Sequence, residues 1–215
     1  MIKFIRDFYS FIKTGSIEAE NKLTVRKFLV RAFILKLSFY VLLLVFSYLL
    51  FNFNYGNSDF LFKDKTLWIV FLNMIILAPI LEELTCRLHT GLKLYQIIIS
   101  LVGAVILFHN SWLILSFFVC YFFLLFLILK IGVRVNRSYI IYSSALIFGI
   151  LHIDFYDFNW LENFGYTFFV VITRIFSGLL FTYVFYQKGI LFSILFHIIW
   201  NMMPFISYLL RYFET

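Results

Sequence analysis

Charged side chains fall in a few short stretches of this chain, and the positions between them are almost uniformly apolar. A helix needs about 20 apolar residues to cross a bilayer. On that measure the pattern predicts seven spans, roughly 32–53, 66–88, 94–109, 111–130, 139–154, 164–187 and 189–210. The run 94–130 is too long for one span, and its polar break at His109-Asn110-Ser111 predicts a helical hairpin turning there. The first 13 residues differ: Ile2, Phe4, Ile5, Phe8, Tyr9, Phe11 and Ile12 are interleaved with charges. That spacing predicts an amphipathic helix lying in the membrane interface. The expected fold is all-α, a polytopic helical membrane protein with about seven transmembrane helices. Residues 1–31 form its cytoplasmic or interfacial segment and 32–215 a single transmembrane domain, with no evident repeat or linker.

Composition makes lipid the solvent. The 215 residues are 63% hydrophobic and 23% aromatic, and only 13% are charged, against roughly 25% in soluble domains. The net charge of +7 does not point to nucleic acid, because of where the cations lie. Lys3, Arg6, Lys13, Lys22, Arg26, Lys27, Arg31 and Lys36 precede the first long apolar stretch, which is the positive-inside pattern. With the N-terminus inside, Lys93, Lys130, Arg134, Arg137 and Lys188 also fall on inner loops, and the acidic 154–163 loop falls outside. The expected topology is N-terminus cytoplasmic, C-terminus outside. Cys86 and Cys120 lie in apolar segments without a CxxC partner, so neither disulfide nor redox chemistry is expected. The apolar run starts too late for a cleavable signal peptide. Heavy use of Phe, Ile, Tyr, Lys and Asn points to an AT-rich genome and a bacterial inner membrane, with membrane lipid as a partner.

Ionisable groups inside spans are costly and mark functional sites by default. Three clusters qualify: Glu82-Glu83-x-x-x-Arg87, Phe148-x-x-x-His152 and His197-x-x-x-Asn201. The first follows residues 67–81, which carry no charge. Residues four apart stack on one helix face, so Glu83 and Arg87 are expected to form an ion pair. Glu82 is rotated about 100° from Glu83 and needs a different partner. The reading assigns Glu83 and Arg87 to structure and Glu82 to chemistry, with Pro79 weakening the helix just upstream. A carboxylate and a histidine around one water make a general base. A second histidine with an amide can stabilise an oxyanion. The same parts also suit a transport pathway, and a lone Glu–Arg pair or histidine is commonly a packing device. His109 is expected in a polar turn, His89 at the interface, and Ser177-Gly178 at a close helix contact. Arg174, mid-span, calls for a partner such as Glu82 or Glu83, or else snorkels to the interface.

Taken in order, "APILEELTCRL", "SSALIFGILHI" and "SILFHIIWNMMP" resemble the EExxxR, FxxxH and HxxxN motifs of the CPBP family of intramembrane proteases. That family includes the type II CAAX prenyl proteases and the bacterial Abi proteins. The resemblance covers about residues 70–205. It implies a membrane endopeptidase acting on peptides or lipidated proteins near the cytoplasmic face. By that analogy Glu82 and His152 activate a water, His197 and Asn201 form the oxyanion hole, and Glu83, Arg87 and Phe148 support the site. No cofactor is favoured, although Glu82, His152 and His197 would supply three zinc-type ligands if a metal is bound. The competing functions are a non-catalytic immunity or scaffold protein and a transporter. Counting at 1.5 Å per residue leaves His152 roughly 20 Å from the inner boundary, deeper than Glu82 and His197.

Overall fold

The computed structural model describes residues 1–16, 23–51, 66–133, 135–152 and 164–214, with the side chains of Arg211 and Glu214 excepted. These residues form eight helices: α1 (Ile2–Thr14), α2 (Val25–Phe51), α3 (Leu67–Gly91), α4 (Leu94–Phe108), α5 (Trp112–Ile131), α6 (Arg137–Ile150), α7 (Phe164–Lys188) and α8 (Ile190–Glu214). The all-α expectation holds. Five helices are long and apolar enough to cross a membrane: α2, α3, α5, α7 and residues Ile190–Leu210 of α8.

Helix length shows five of the seven expected spans. Helix α4 has 15 residues and α6 has 14. At 1.5 Å per residue they reach only about 22 and 21 Å, short of the roughly 30 Å hydrocarbon core. Residues 153 and 154 of the fifth predicted span, the acidic 154–163 loop, Lys22, Lys63, Lys65 and Arg134 lie outside the described residues. The hairpin in 94–130 does turn at 109–111, where His109 Nδ1 donates to the Ile106 carbonyl.

Helix α3 is not a uniform α-helix. Residues 72–77 take a wider turn in which the Ala78 N–H bonds to the Asn73 carbonyl five residues back. The α-helix resumes over Ala78–Cys86, and a tighter turn closes Leu88–Gly91. Pro79, which has no N–H to give, sits at the junction.

Helix α7 packs against α2, α6 and α8. Its seam with α6 is close, as the Ser177-Gly178 pair predicts: a Cβ added to Gly178 would lie 3.0 Å from the Ala145 Cα. Ser177 donates to the Thr173 carbonyl of its own helix. Outward-facing positions such as Leu42, Leu49, Trp112, Leu113 and Phe123 are exposed and apolar, as lipid contact requires.

The N-terminal helix departs from the interfacial reading. Phe4, Phe8 and Phe11 are buried in the protein, where their rings surround Tyr183 of α7 at 5.2–5.7 Å. Phe28 of α2 completes the cluster. Only Ile2, Ile5 and Tyr9 of the apolar set stay exposed. One stripe of phenylalanines at helical spacing finds a better-packed home against aromatic side chains than in lipid. Helix α1 ends at Gly15, whose φ of 65° no side chain favours, and a Cβ there would lie 2.5 Å from the Ser138 nitrogen.

Candidate functional site

The site is built where α3, α6, α7 and α8 meet. Ser193, His197 and Asn201 recur every four residues on α8, so they share one face, and all three reach α3. Ser193 donates from Oγ to Glu83 at 2.6 Å. His197 Nδ1 lies 3.0 Å from Glu83 Oε1, and its Nε2 lies 3.7 Å from Glu82 Oε2. Asn201 Nδ2 donates to the Met74 carbonyl at 2.9 Å.

The two acids therefore divide differently from the sequence reading. Glu83 does approach Arg87, with Nε 3.8 Å from Oε1 and both side chains fully buried. Glu82 does not go to a separate partner, because His197 stands between the two carboxylates and turns one nitrogen to each. An imidazole bridges the 100° step because its nitrogens point outward from different sides of the ring. Glu82 is also the acid that stays reachable, with 24% of its side chain exposed.

Asn201 answers to a backbone defect. With Ala78 bonded five residues back, Pro79 is the residue whose N–H would have served Met74. Proline has none, and the Asn201 amide fills that place. Its second N–H stays available, since a primary amide carries two.

Arg87 lies against Phe148, its guanidinium carbon 4.2 Å from the ring centroid, a cation–π contact. None of its three nitrogens makes a hydrogen bond among the described residues. The Phe148 ring also meets His152 edge-on at 4.7 Å and His197 at 6.1 Å. Both histidines of the motif set thus flank one phenylalanine. His152 Nδ1 lies 2.7 Å from the Phe148 carbonyl. A carbonyl only accepts, so that nitrogen carries the proton and Nε2 is left as an acceptor.

Contacts set the height of α6 against α3. Ser144 Oγ donates to the Cys86 carbonyl, which pins α6 to α3 in antiparallel register. Four residues on along α6 and four back along α3, Phe148 and Glu82 come level. The start of α6 instead lies beside α1, where Tyr142 donates to the Ile12 carbonyl.

Three contributors escape the sequence reading. Phe181 of α7 stacks on His197 at 4.5 Å with 25° between the rings. Ser193, one turn before His197, extends the HxxxN spacing backwards and was legible as such. Lys36 belongs neither to the flank nor to a loop: it is 2% exposed, with Nζ 3.9 Å from the Phe181 centroid. Its place four residues inside the first predicted span was the available signal. Arg174 lies within electrostatic reach of Glu82, His152 and Lys36 but forms no ion pair among the described residues.

His89 is buried rather than interfacial, with Nδ1 donating to the Thr85 carbonyl and Nε2 3.1 Å from the Tyr121 hydroxyl. Cys86 and Cys120 are free thiols. The set Glu82, His152 and His197 does not fit a zinc centre: no three His, Cys, Asp or Glu among the described residues are grouped to hold a metal. Comparison of the chain with protein-family models, curated proteins and solved structures finds no match.

Proposed function

We propose that the protein is an intramembrane endopeptidase of the CPBP kind, cleaving membrane-associated peptides or lipidated proteins. The observation that carries this reading is the convergence of all three motif segments. Glu82 faces His197 Nε2 at 3.7 Å, Glu83 holds the other side of that ring, and Phe148 touches Arg87, His152 and His197.

In this reading Glu82, aided by the Nε2 acceptor of His152, takes a proton from the water that attacks the substrate carbonyl. His197 Nε2 is the adjoining group able to receive that proton. Once it has, the ring donates from both nitrogens, and with the second N–H of Asn201 it stabilises the tetrahedral oxyanion. Returning the proton to the departing amine completes the cleavage. Glu83 keeps the ring oriented throughout. No step is routed through a metal.

The proposed topology has seven crossings, with α4 and α6 as short ones, the N-terminus cytoplasmic and the C-terminus outside a bacterial inner membrane. A non-catalytic scaffold or immunity protein is the second reading. It is favoured by the fact that His197 and Asn201 already have partners within the protein. The variants Glu82→Ala and His152→Ala separate the two. The protease reading expects both to insert and accumulate normally while cleavage and the associated phenotype disappear. A phenotype that survives both substitutions would establish the scaffold.

A further inference from the structure

Lys36 of α2 lies inside a membrane span, and among the described residues its Nζ has no hydrogen-bond partner. Such a group is costly unless something compensates it. The compensation on hand is aromatic. Nζ lies 3.9 Å from the Phe181 centroid, 4.1 Å from that of Trp200 and 6.0 Å from that of Phe196. Attraction to ring faces strengthens when the cation is desolvated, as it is here.

Phe181 connects this cage to the site. Its ring is contacted by Lys36 at 3.9 Å and stacked on His197 at 4.5 Å. Both groups bear on this one ring, so Phe181 links Lys36 to His197. A ring held in place by Lys36 restricts the imidazole stacked on it, and that imidazole keeps one nitrogen on Glu83 and the other toward Glu82.

We propose that Lys36 is a positioning residue of the Glu82–His197 site, clamping Phe181 against the His197 imidazole. Its catalytic consequence rests on the protease reading; its geometric consequence does not. The charged groups around it are Glu82, Glu83 and Arg87 from α3 and Arg174 from α7, with His197 of α8 stacked on Phe181.

The test uses full-length protein in lipid nanodiscs with isotope-labelled histidine. Four histidines give a sparse spectrum, in which His197 is assigned by its loss in His197→Gln. Lys36→Met keeps the length and removes the charge, and it is expected to move the His197 ring signals. Lys36→Arg keeps a cation over the rings and is expected to leave them near their wild-type positions. A lysine that only fills space predicts unchanged His197 signals in Lys36→Met, and that result overturns the proposal.

Cleavage assays form the second arm. Lys36→Met is expected to lower kcat about tenfold or more with KM within about twofold, and Lys36→Arg to restore most of kcat. If wild-type protein cleaves nothing, the protease reading fails and the spectra alone decide on Lys36. If Lys36→Met does not accumulate, wild-type protein is tested for magnetisation transfer between the Lys36 Hε protons and the Phe181 and Trp200 rings. Its presence supports the cage, and its absence overturns the proposal.

Discussion

Replacing Glu82 and Glu83 singly by glutamine separates two roles that meet at one histidine. Glu83 is fully buried and accepts from Ser193 and His197 beside Arg87. Glu83→Gln leaves the buried guanidinium without its carboxylate, a loss of about 3–5 kcal/mol that unfolding in detergent would register. Glu82 is partly exposed and has only the 3.7 Å approach of His197, so Glu82→Gln is expected to cost about 1 kcal/mol while removing the proton acceptor. Equal destabilisation by the two changes would contradict this division. The helical step between adjacent residues made the two roles legible in the sequence. It could not show that both acids would meet His197, because that depends on where α8 lies. Lys36 was equally present in the sequence, four residues inside an apolar run. Its proximity to other N-terminal cations merged it with the topology signal, and only the aromatic cage distinguishes it.

At the scale of elements, the wide turn in α3 explains why Asn201 stands where it does. The Met74 carbonyl loses its backbone donor to Pro79, and Asn201 supplies one from α8. In a Pro79→Ala protein the residue 79 N–H returns, and the Asn201 amide becomes less necessary. Asn201→Leu is expected to cost about 1–3 kcal/mol alone and clearly less in the Pro79→Ala background. The coupling should fall within about 0.5–3 kcal/mol, measured from the stabilities of the four proteins in one detergent. Simple additivity would show that the two residues act independently. Proline's effect on its own helix was readable, but the switch to five-residue bonding was not, since periodicity resolves faces rather than hydrogen-bond register. The level of His152 was hidden for a related reason: the Ser144–Cys86 contact sets the height of α6, whereas counting from an assumed boundary cannot.

For the whole molecule, apolar runs identified an all-helical membrane protein and the hairpin at 109–111. Helix length shows five of the seven expected spans, since α4 and α6 stop at 15 and 14 residues. The docking of α1 through Phe4, Phe8 and Phe11 was unreadable because an amphipathic stripe does not name the surface it covers. The proposed topology is testable with cysteines. In a protein with Cys86 and Cys120 replaced by alanine, Asn110→Cys should react with an impermeant reagent from outside. Gly132→Cys should react only after the membrane is opened. Labelling of both from one side would mean that α5 does not cross. The central claim is that this fold positions Glu82 to hydrolyse peptide bonds. It is tested most directly by comparing the membrane-associated peptides of cells carrying wild-type protein with those of cells carrying Glu82→Gln, at matched protein levels. The account predicts at least one membrane peptide that accumulates uncut in Glu82→Gln cells and whose shorter product is absent there. Identical peptide profiles, with the variant folded and present in the membrane, would contradict it.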